Sequence, residues 1–386
     1  MLPPEGEHIA LRAAGRALMT PVDVQIKGSG AVASAFALAL GPLGLRVALS
    51  PARHNPKDPD IRTYALNAAS RELLERLRVW QALPADAVTP VYDMRVRGDA
   101  AGALLEFSAW KQCVEALAWI VEAPALDAAL ADALQFAPHV QRRDGPLEAA
   151  LTVLAEGKDS EARSWFGVSF DRHAYGQLAV AARLTSDRGH DGVACQWFRT
   201  PDVLALLPFD RPLAGHSYGL VWSLPENRAR ELLALDAEPF EAELQRASEG
   251  RCGRLRLEGT RAAWPLAIAM ADRVCGPGWA LIGDAAHVVH PLAGQGLNLG
   301  LADVATLAAV LAAREAWRGV GDERLLRRYA RERSGPTRAM AHLTDGLLHT
   351  FAHSQPLLRE LRNRGLTLLN HAAPAKRWLA AQALGR

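Results

Sequence analysis

The chain of 386 residues is short of several things, and each shortage removes a class of protein. It has 4 cysteines, Cys113, Cys195, Cys252 and Cys275, at none of the paired spacings of a zinc site or disulfide framework. They read as reduced thiols of a cytoplasmic protein, and no metal is expected. Charge of one sign is also scarce. Lysine and arginine total 44 against 42 acidic residues, a net charge of +2 that gives no basic surface for nucleic acid. Only residues 28–45 imitate a membrane span, and Gly28, Gly30, Gly41, Pro42 and Gly44 break them up. A strand-turn-helix-strand unit accounts for them better than a bilayer helix. There is no internal repeat and no low-complexity tract. Glu5, Glu7, Arg12 and Arg16 interrupt the apolar core that a secretion signal would need. Residues 1–20 read as a loose tail, with Met19 as an alternative start.

What remains is a globular chain, 49% hydrophobic and 22% charged, of a length that suits two domains. Val22, Val24 and Ile26 alternate as a short strand. Gly28-Ser29-Gly30-Ala31-Val32-Ala33 follows, then a helix through Phe36, Leu38 and Leu40 that Gly41-Pro42 ends, then a second strand at 46–50. This is the opening of a dinucleotide-binding βαβ unit. Gly28 permits the tight turn, Gly30 lets a pyrophosphate approach, and Ala33 keeps helix and strand close. The acidic residue that usually ends the second strand and holds a ribose is replaced by Pro51. The loss of one hydrogen bond predicts binding weaker by roughly tenfold, with Ser50, Arg53 or His54 as substitutes.

Residues 283–303 read GDAAHVVHPLAGQGLNLGLAD and carry the most chemical information. The apolar strand Trp279 to Ile282 runs into Gly283 and Asp284, and a Pro- and Gly-rich loop leads to a helix starting near Gly296. Leu297, Leu301, Val304, Leu307 and Leu311 mark its buried face. A carboxylate at Asp284 would accept hydrogen bonds from a polyol. Gly294 and Gly296, lacking Cβ atoms, would let a flat ring lie against the backbone. The unpaired first amides of the helix would favour an anion or a ring that becomes anionic on reduction. A flavin with its ribityl chain meets all three requirements.

This string resembles the second flavin motif of the aromatic-ring flavoprotein monooxygenases, the group that includes para-hydroxybenzoate hydroxylase. In the form HPLAGQGLNLG it is most similar to the ubiquinone-biosynthesis hydroxylases, which act on prenylated phenol rings. The resemblance extends to RTYALNAAS at 62–70, to AEGKDSEAR at 155–163, and to the order of elements from about 22 to 385. It implies an α/β fold: a Rossmann-like FAD-binding domain (20–90, 118–164 and 265–340), an inserted antiparallel-sheet substrate domain (91–117 and 165–264), and C-terminal helices (341–386). It implies hydroxylation of an aromatic ring with NAD(P)H and O2 through a C4a-hydroperoxyflavin, with FAD bound noncovalently and NAD(P)H a transient co-substrate.

The resemblance also assigns residues. Gly28, Gly30, Ala33, Gly283, Asp284, Leu297 and Asn298 would bind FAD. Pro291 would pack at the reactive edge of the ring, and Gly294, Gln295 and Gly296 would present amides to it. Arg62 would lie beside the flavin or at the active-site entry. Glu156 stands in for the Asp of the family's Asp-Gly turn, and Arg163 matches its arginine. His287 reads either as a loop residue at the site or as a structural hydrogen-bonding group.

Strands at 177–182, 203–207 and 218–222 would roof the substrate, with Trp197, Phe198, Trp222 and Trp264 as wall or core. The arginines from Arg324 to Arg338 read as a solvated helix face. Residues 357–384, with Leu361, Leu366, Leu369, Trp378 and Leu379, read as amphipathic helices that rest on anionic lipid, on the protein's own body or on a second copy. The localisation implied is cytoplasmic or peripheral to the inner membrane, alone or within a biosynthetic complex. Two alternatives remain open from the residues: an FAD-dependent reductase or oxidase of an apolar substrate, and a non-catalytic flavoprotein-fold subunit.

Overall fold

The computed structural model describes residues 22–50, 60–98, 103–143, 145, 147–289 and 295–352. Strand β1 (Val22–Lys27) lies inside a six-stranded sheet between β2 (Val47–Ser50) and β9 (Ala149–Leu154), parallel to both. β8 (Val140–Arg142) continues beyond β2 and β16 (Trp279–Leu281) beyond β9, while β15 (Cys275–Gly276) turns back antiparallel at the edge. Covered on both faces, β2 is buried at every position, as a strand inside a parallel sheet requires.

Helix α1 (Ala31–Ala39) crosses from β1 to β2 and is buried from Ala33 to Ala37. Beside it pack α4 (Ala123–Gln135) and α7 (Gln295–Ala312), and α7 in turn meets α2 (Ala68–Arg76) and α8 (Glu323–Ala352). Val24, Ile26, Leu49, Val153 and Ile282 from the sheet join Phe36, Leu301, Val304, Leu307 and Leu311 from the helices in one core. α7 is long and apolar enough to cross a membrane, but 56% of it is buried inside the protein, so its composition is that of a core helix. No disulfide joins the cysteines.

A second sheet has eight strands. Its order is β17 (His287–Val288), β14 (Leu255–Ala271), β10 (Phe170–Ser186), β13 (Ser217–Pro225), β12 (Asp202–Phe209), β11 (Val193–Arg199), β5 (Asp93–Arg97) and β6 (Leu104–Ser108). It is antiparallel apart from one pair, β5 with β11. A short helix, α3 (Ala109–Gln112), follows β6. Helices α5 (Glu226–Ala234) and α6 (Ala237–Ala247) cover one face, where Trp197 and Trp222 pack with Leu204, Leu220, Leu232 and Phe240. Those two tryptophans therefore fill a core.

The opposite face is different. One row across it reads Trp264, Ala179, Ser223, Val203, Phe198, and the next reads Ala262, Ala181, Val221, Ala205, Gln196. The middle of each row is built mainly from small side chains, and the first row is closed at both ends by an aromatic ring. Part of this face meets a third sheet of β3 (Thr63–Leu66), β7 (Ala118–Glu122) and β4 (Val88–Val91). Ala65, Val91 and Ile120 pack there against Ala194, Leu207 and Phe209. A Cβ added to Gly219 would lie 2.8 Å from the Thr63 hydroxyl, so the two sheets approach closely at that point.

Candidate functional site

The C-terminal ends of β1, β9 and β16 converge, and the expected site residues gather around them. Gly28 follows β1 with φ +132°, and a Cβ there would lie 2.2 Å from the Ala155 carbonyl oxygen. Its N–H donates to the Ser50 carbonyl at 2.9 Å. Only glycine fits. Gly30 caps α1 without any side-chain cap, so the first amides of the helix stay open, and a Cβ built on Gly30 meets nothing within 4 Å. Ala33 is fully buried. Val32 packs against the other half of the site: a Cβ on Gly300 of α7 would come within 2.7 Å of its Cγ2, and one on Gly283 within 3.2 Å of its Cγ1.

Lys27 closes β1 as a mostly buried amine 3.8 Å from the centre of the Trp165 ring. Burial lowers its pKa, and the nearby Glu156 carboxylate opposes that. Glu156 itself accepts the Ser160 hydroxyl at 2.6 Å. Arg163 lies beneath, its guanidinium stacked 3.6 Å from the Phe170 ring and donating to the carbonyls of Lys158 and Ala285. It thus ties the Glu156 turn to the Asp284 loop.

Gly283 takes φ +62° and starts a single 3-10 turn, Gly283–Ala285. Asp284 projects from that turn. The residue is exposed to water, yet protein atoms around it partly desolvate the carboxyl. That desolvation raises its carboxyl pKa, and His287, Arg62 and Lys158 only partly offset the rise. No described residue hydrogen-bonds to this carboxylate. Arg62 and Tyr64 stand close by, and burial pushes the Tyr64 phenol up to about 12. Arg62 is forked on Asp60 at 2.6 and 2.9 Å and lies 5.9 Å from the Trp264 ring. It therefore stands between the Asp284 turn and the small-residue sheet face.

Gln295 begins α7 and is buried, Gly296 has open space where a Cβ would stand, and Leu297 packs half-buried against the first core. Asn298 turns inward. Its Oδ1 accepts from the Asn67 N–H and the Ser70 hydroxyl, and its Nδ2 donates to the Ala65 carbonyl, at 2.8 to 3.0 Å. It locks the segment at 62–70 onto α7. Pro291, Gly294 and His290 lie outside the described residues, as do Pro51, Arg53, His54 and the segment 357–384. Ser50, a proposed substitute for the ribose-binding acid, is buried with its hydroxyl 3.3 Å from Gln25 Nε2.

Two side chains were missed at the sequence level. Asp303 is buried beneath the Asp284 turn, and Arg333 reaches it from α8, so Arg333 is not part of the solvated arginine face expected for 324–338. His287 is buried against Asp303, an arrangement that agrees with its structural reading. Asp303 stands at an α7 position otherwise buried and apolar, between Leu301 and Val304, and that misfit was the available signal.

An open-capped helix N-terminus after a glycine turn, cleared space at Gly30 and Gly296, and an unpartnered carboxylate at a strand end fit a dinucleotide carrying a polyol chain. These features define a flavoprotein. The model of the FAD binding domain family matches residues 126–344. The 3-demethoxyubiquinol 3-hydroxylase of Escherichia coli is 31% identical over 95% of this chain and 99% of that protein. Ubiquinone hydroxylase UbiL of Rhodospirillum rubrum is 30% identical over 94% and 89%. Among solved structures, p-nitrophenol 4-monooxygenase PnpA of Pseudomonas putida superposes with a TM-score of 0.75 at 18% identity, over 95% of this chain and all of that one. The pqsL protein of Pseudomonas aeruginosa gives 0.74 at 21%, over 90% of this chain and all of that one. The chain belongs to the FAD-binding monooxygenase family that contains the ubiquinone-biosynthesis hydroxylases.

Proposed function

We propose that the chain is an FAD-dependent hydroxylase of a phenolic ring carrying an apolar tail, a ubiquinone precursor, with NAD(P)H and O2 as co-substrates. The observation that carries this reading is the juxtaposition of the Asp284 turn with Arg62 and, beyond it, the sheet face of Ala179, Ala181, Ala205, Val221 and Ser223. Small side chains between Trp264 and Phe198 leave room for a planar ring and keep water off it. The division into an FAD domain (20–90, 118–164 and 265–340), a substrate domain (91–117 and 165–264) and a C-terminal segment (341–386) belongs to the same proposal.

Bound FAD would supply hydride acceptance and oxygen activation. The chain's own residues do the rest. Asp284 would accept hydrogen bonds from ribityl hydroxyls, the α1 N-terminus and Gly30 would hold the pyrophosphate, and Gln295 and Gly296, with Pro291 and Gly294 as the sequence motif implies, would border the ring. Arg62 meets an incoming phenolate with its positive charge, and the apolar face orients and shields the ring. A substrate with a prenyl tail is drawn from lipid, so contact with the inner-membrane surface from the cytoplasmic side, or with partner proteins in a homo- or hetero-oligomer, follows from the same chemistry.

The test is direct. The purified protein should carry the yellow flavin spectrum, bleach with NAD(P)H, and place one atom of isotopic O2 in a prenylated phenol. Turnover without label in the product would favour a reductase or oxidase. A colourless, folded protein would favour the non-catalytic subunit.

A further inference from the structure

The Asp284 turn is held from below by one carboxylate. Asp303, on α7 and 1% exposed, uses both of its oxygens. Oδ2 accepts the Gly283 backbone N–H at 2.9 Å and His287 Nε2 at 2.7 Å. Oδ1 accepts Arg333 Nε at 2.7 Å, and Arg333 Nη2 also donates to the Leu299 carbonyl at 3.2 Å. Three separate segments, the β16 exit, β17 and α8, are thereby pinned to one point on α7. Protein donors from three directions engage both carboxylate oxygens.

Gly283 is the residue whose left-handed conformation directs Asp284 outward, and its N–H is buried. That N–H has no strand partner, because the chain leaves the sheet at Ile282. Its acceptor therefore decides whether the turn keeps its shape. Arg333 and His287 fix the orientation of the carboxylate, so that one oxygen faces Gly283.

We propose that Asp303 is a positioning residue for the cofactor: it holds the Gly283 turn so that Asp284 presents its carboxylate to the ribityl chain, with Arg333 and His287 aiming it. The proposal rests on the FAD reading of that turn. Asp303 touches no cofactor atom and acts through Gly283.

The experiment uses the full-length protein, with flavin removed and titrated back by fluorescence. Asp303→Asn puts an amide donor against Arg333 or against Gly283 and His287, whichever way it turns. FAD should bind about ten- to a hundredfold more weakly, and the visible circular dichroism of the bound flavin should change. Ser186→Ala is the control. It removes a buried bond to the Cys252 carbonyl in the other sheet and should lower Tm without moving FAD affinity. Pairing Asp303→Asn with Arg333→Gln restores a donor-acceptor match, since the Asn amide donates to the Gln oxygen while its own oxygen stays on Gly283 and His287. The double variant should recover affinity to within about threefold of the parent. A parent protein that takes up no FAD would fail the FAD reading itself. Should the parent bind FAD and Asp303→Asn bind it equally well while melting lower, the proposal is overturned. If the single variant does not fold, a double variant with a parental Tm but poor FAD affinity overturns it equally.

Discussion

Asn298 Oδ1 accepts the backbone N–H of Asn67 across 231 residues of sequence, at 3.0 Å. The same amide group also holds Ser70 and Ala65, and Asn67 caps α2 through Ser70 N at 2.9 Å. Asn298→Ala should strand one N–H, one hydroxyl and one carbonyl in the interior and cost about 2–4 kcal/mol. Denaturant melts would measure the cost. Because Arg62 and Tyr64 sit on the segment set free, KM for the phenol should rise with the loss of stability.

The two glycines of the β1–α1 turn should separate folding from binding. Gly28→Ala collides with the Ala155 carbonyl and occupies a φ that alanine avoids, so a loss of about 3 kcal/mol or more, or insoluble protein, is expected. Gly30→Ala meets open space. It should melt like the parent yet bind FAD at least about tenfold more weakly, because its methyl occupies the approach of the phosphates. Equal effects of the two changes on Tm would contradict this turn geometry.

Asp284→Ala should remove the flavin and leave the fold. The carboxyl is exposed and has no partner among the described residues, so its removal breaks no internal bond. The expected outcome is a colourless protein whose Tm equals that of the flavin-free parent. A variant that stays yellow would move the ribityl chain elsewhere.

The buried His287 and Asp303 give stability a pH dependence of known sign. Burial opposes the imidazolium, but the Asp303 carboxylate outweighs it and raises the His287 pKa above 6.5. Its contribution is complete below 6.5 and is lost as pH rises through the raised value. For Asp303, burial acts to raise the pKa, but His287 and Arg333 outweigh it and hold the value below 3.8. That contribution is complete above 3.8 and disappears as pH falls through the lowered value. Tm should therefore decline on the alkaline side of 6.5, and His287→Gln should flatten that decline. A slope unchanged in the variant would assign the effect to other groups.

Local signals carried much of the fold. The helix expected through Phe36, Leu38 and Leu40 is α1, Ala31–Ala39. The apolar strand read at Trp279 to Ile282 is β16, Trp279–Leu281. Elements like these are fixed by neighbours within a few residues. Pairings between distant segments were not legible. β5 lies parallel to β11, with Val96 opposite Gln196, and no periodicity encodes that choice. Trp197 and Phe198 adjoin in sequence yet face opposite sides of the sheet, one into the helix-covered core and one onto the small-residue face. Arg333 looked solvated because its neighbours are, and only the α7–α8 crossing shows that it meets a buried acid.

Val32 lies in the first glycine motif, and Gly283 and Gly300 lie in the second. Their contact makes the two signatures a mortise and tenon, cut in stretches of chain some two hundred and fifty residues apart. A chimera that imports one motif with a bulkier joint should assemble only when its mate travels with it.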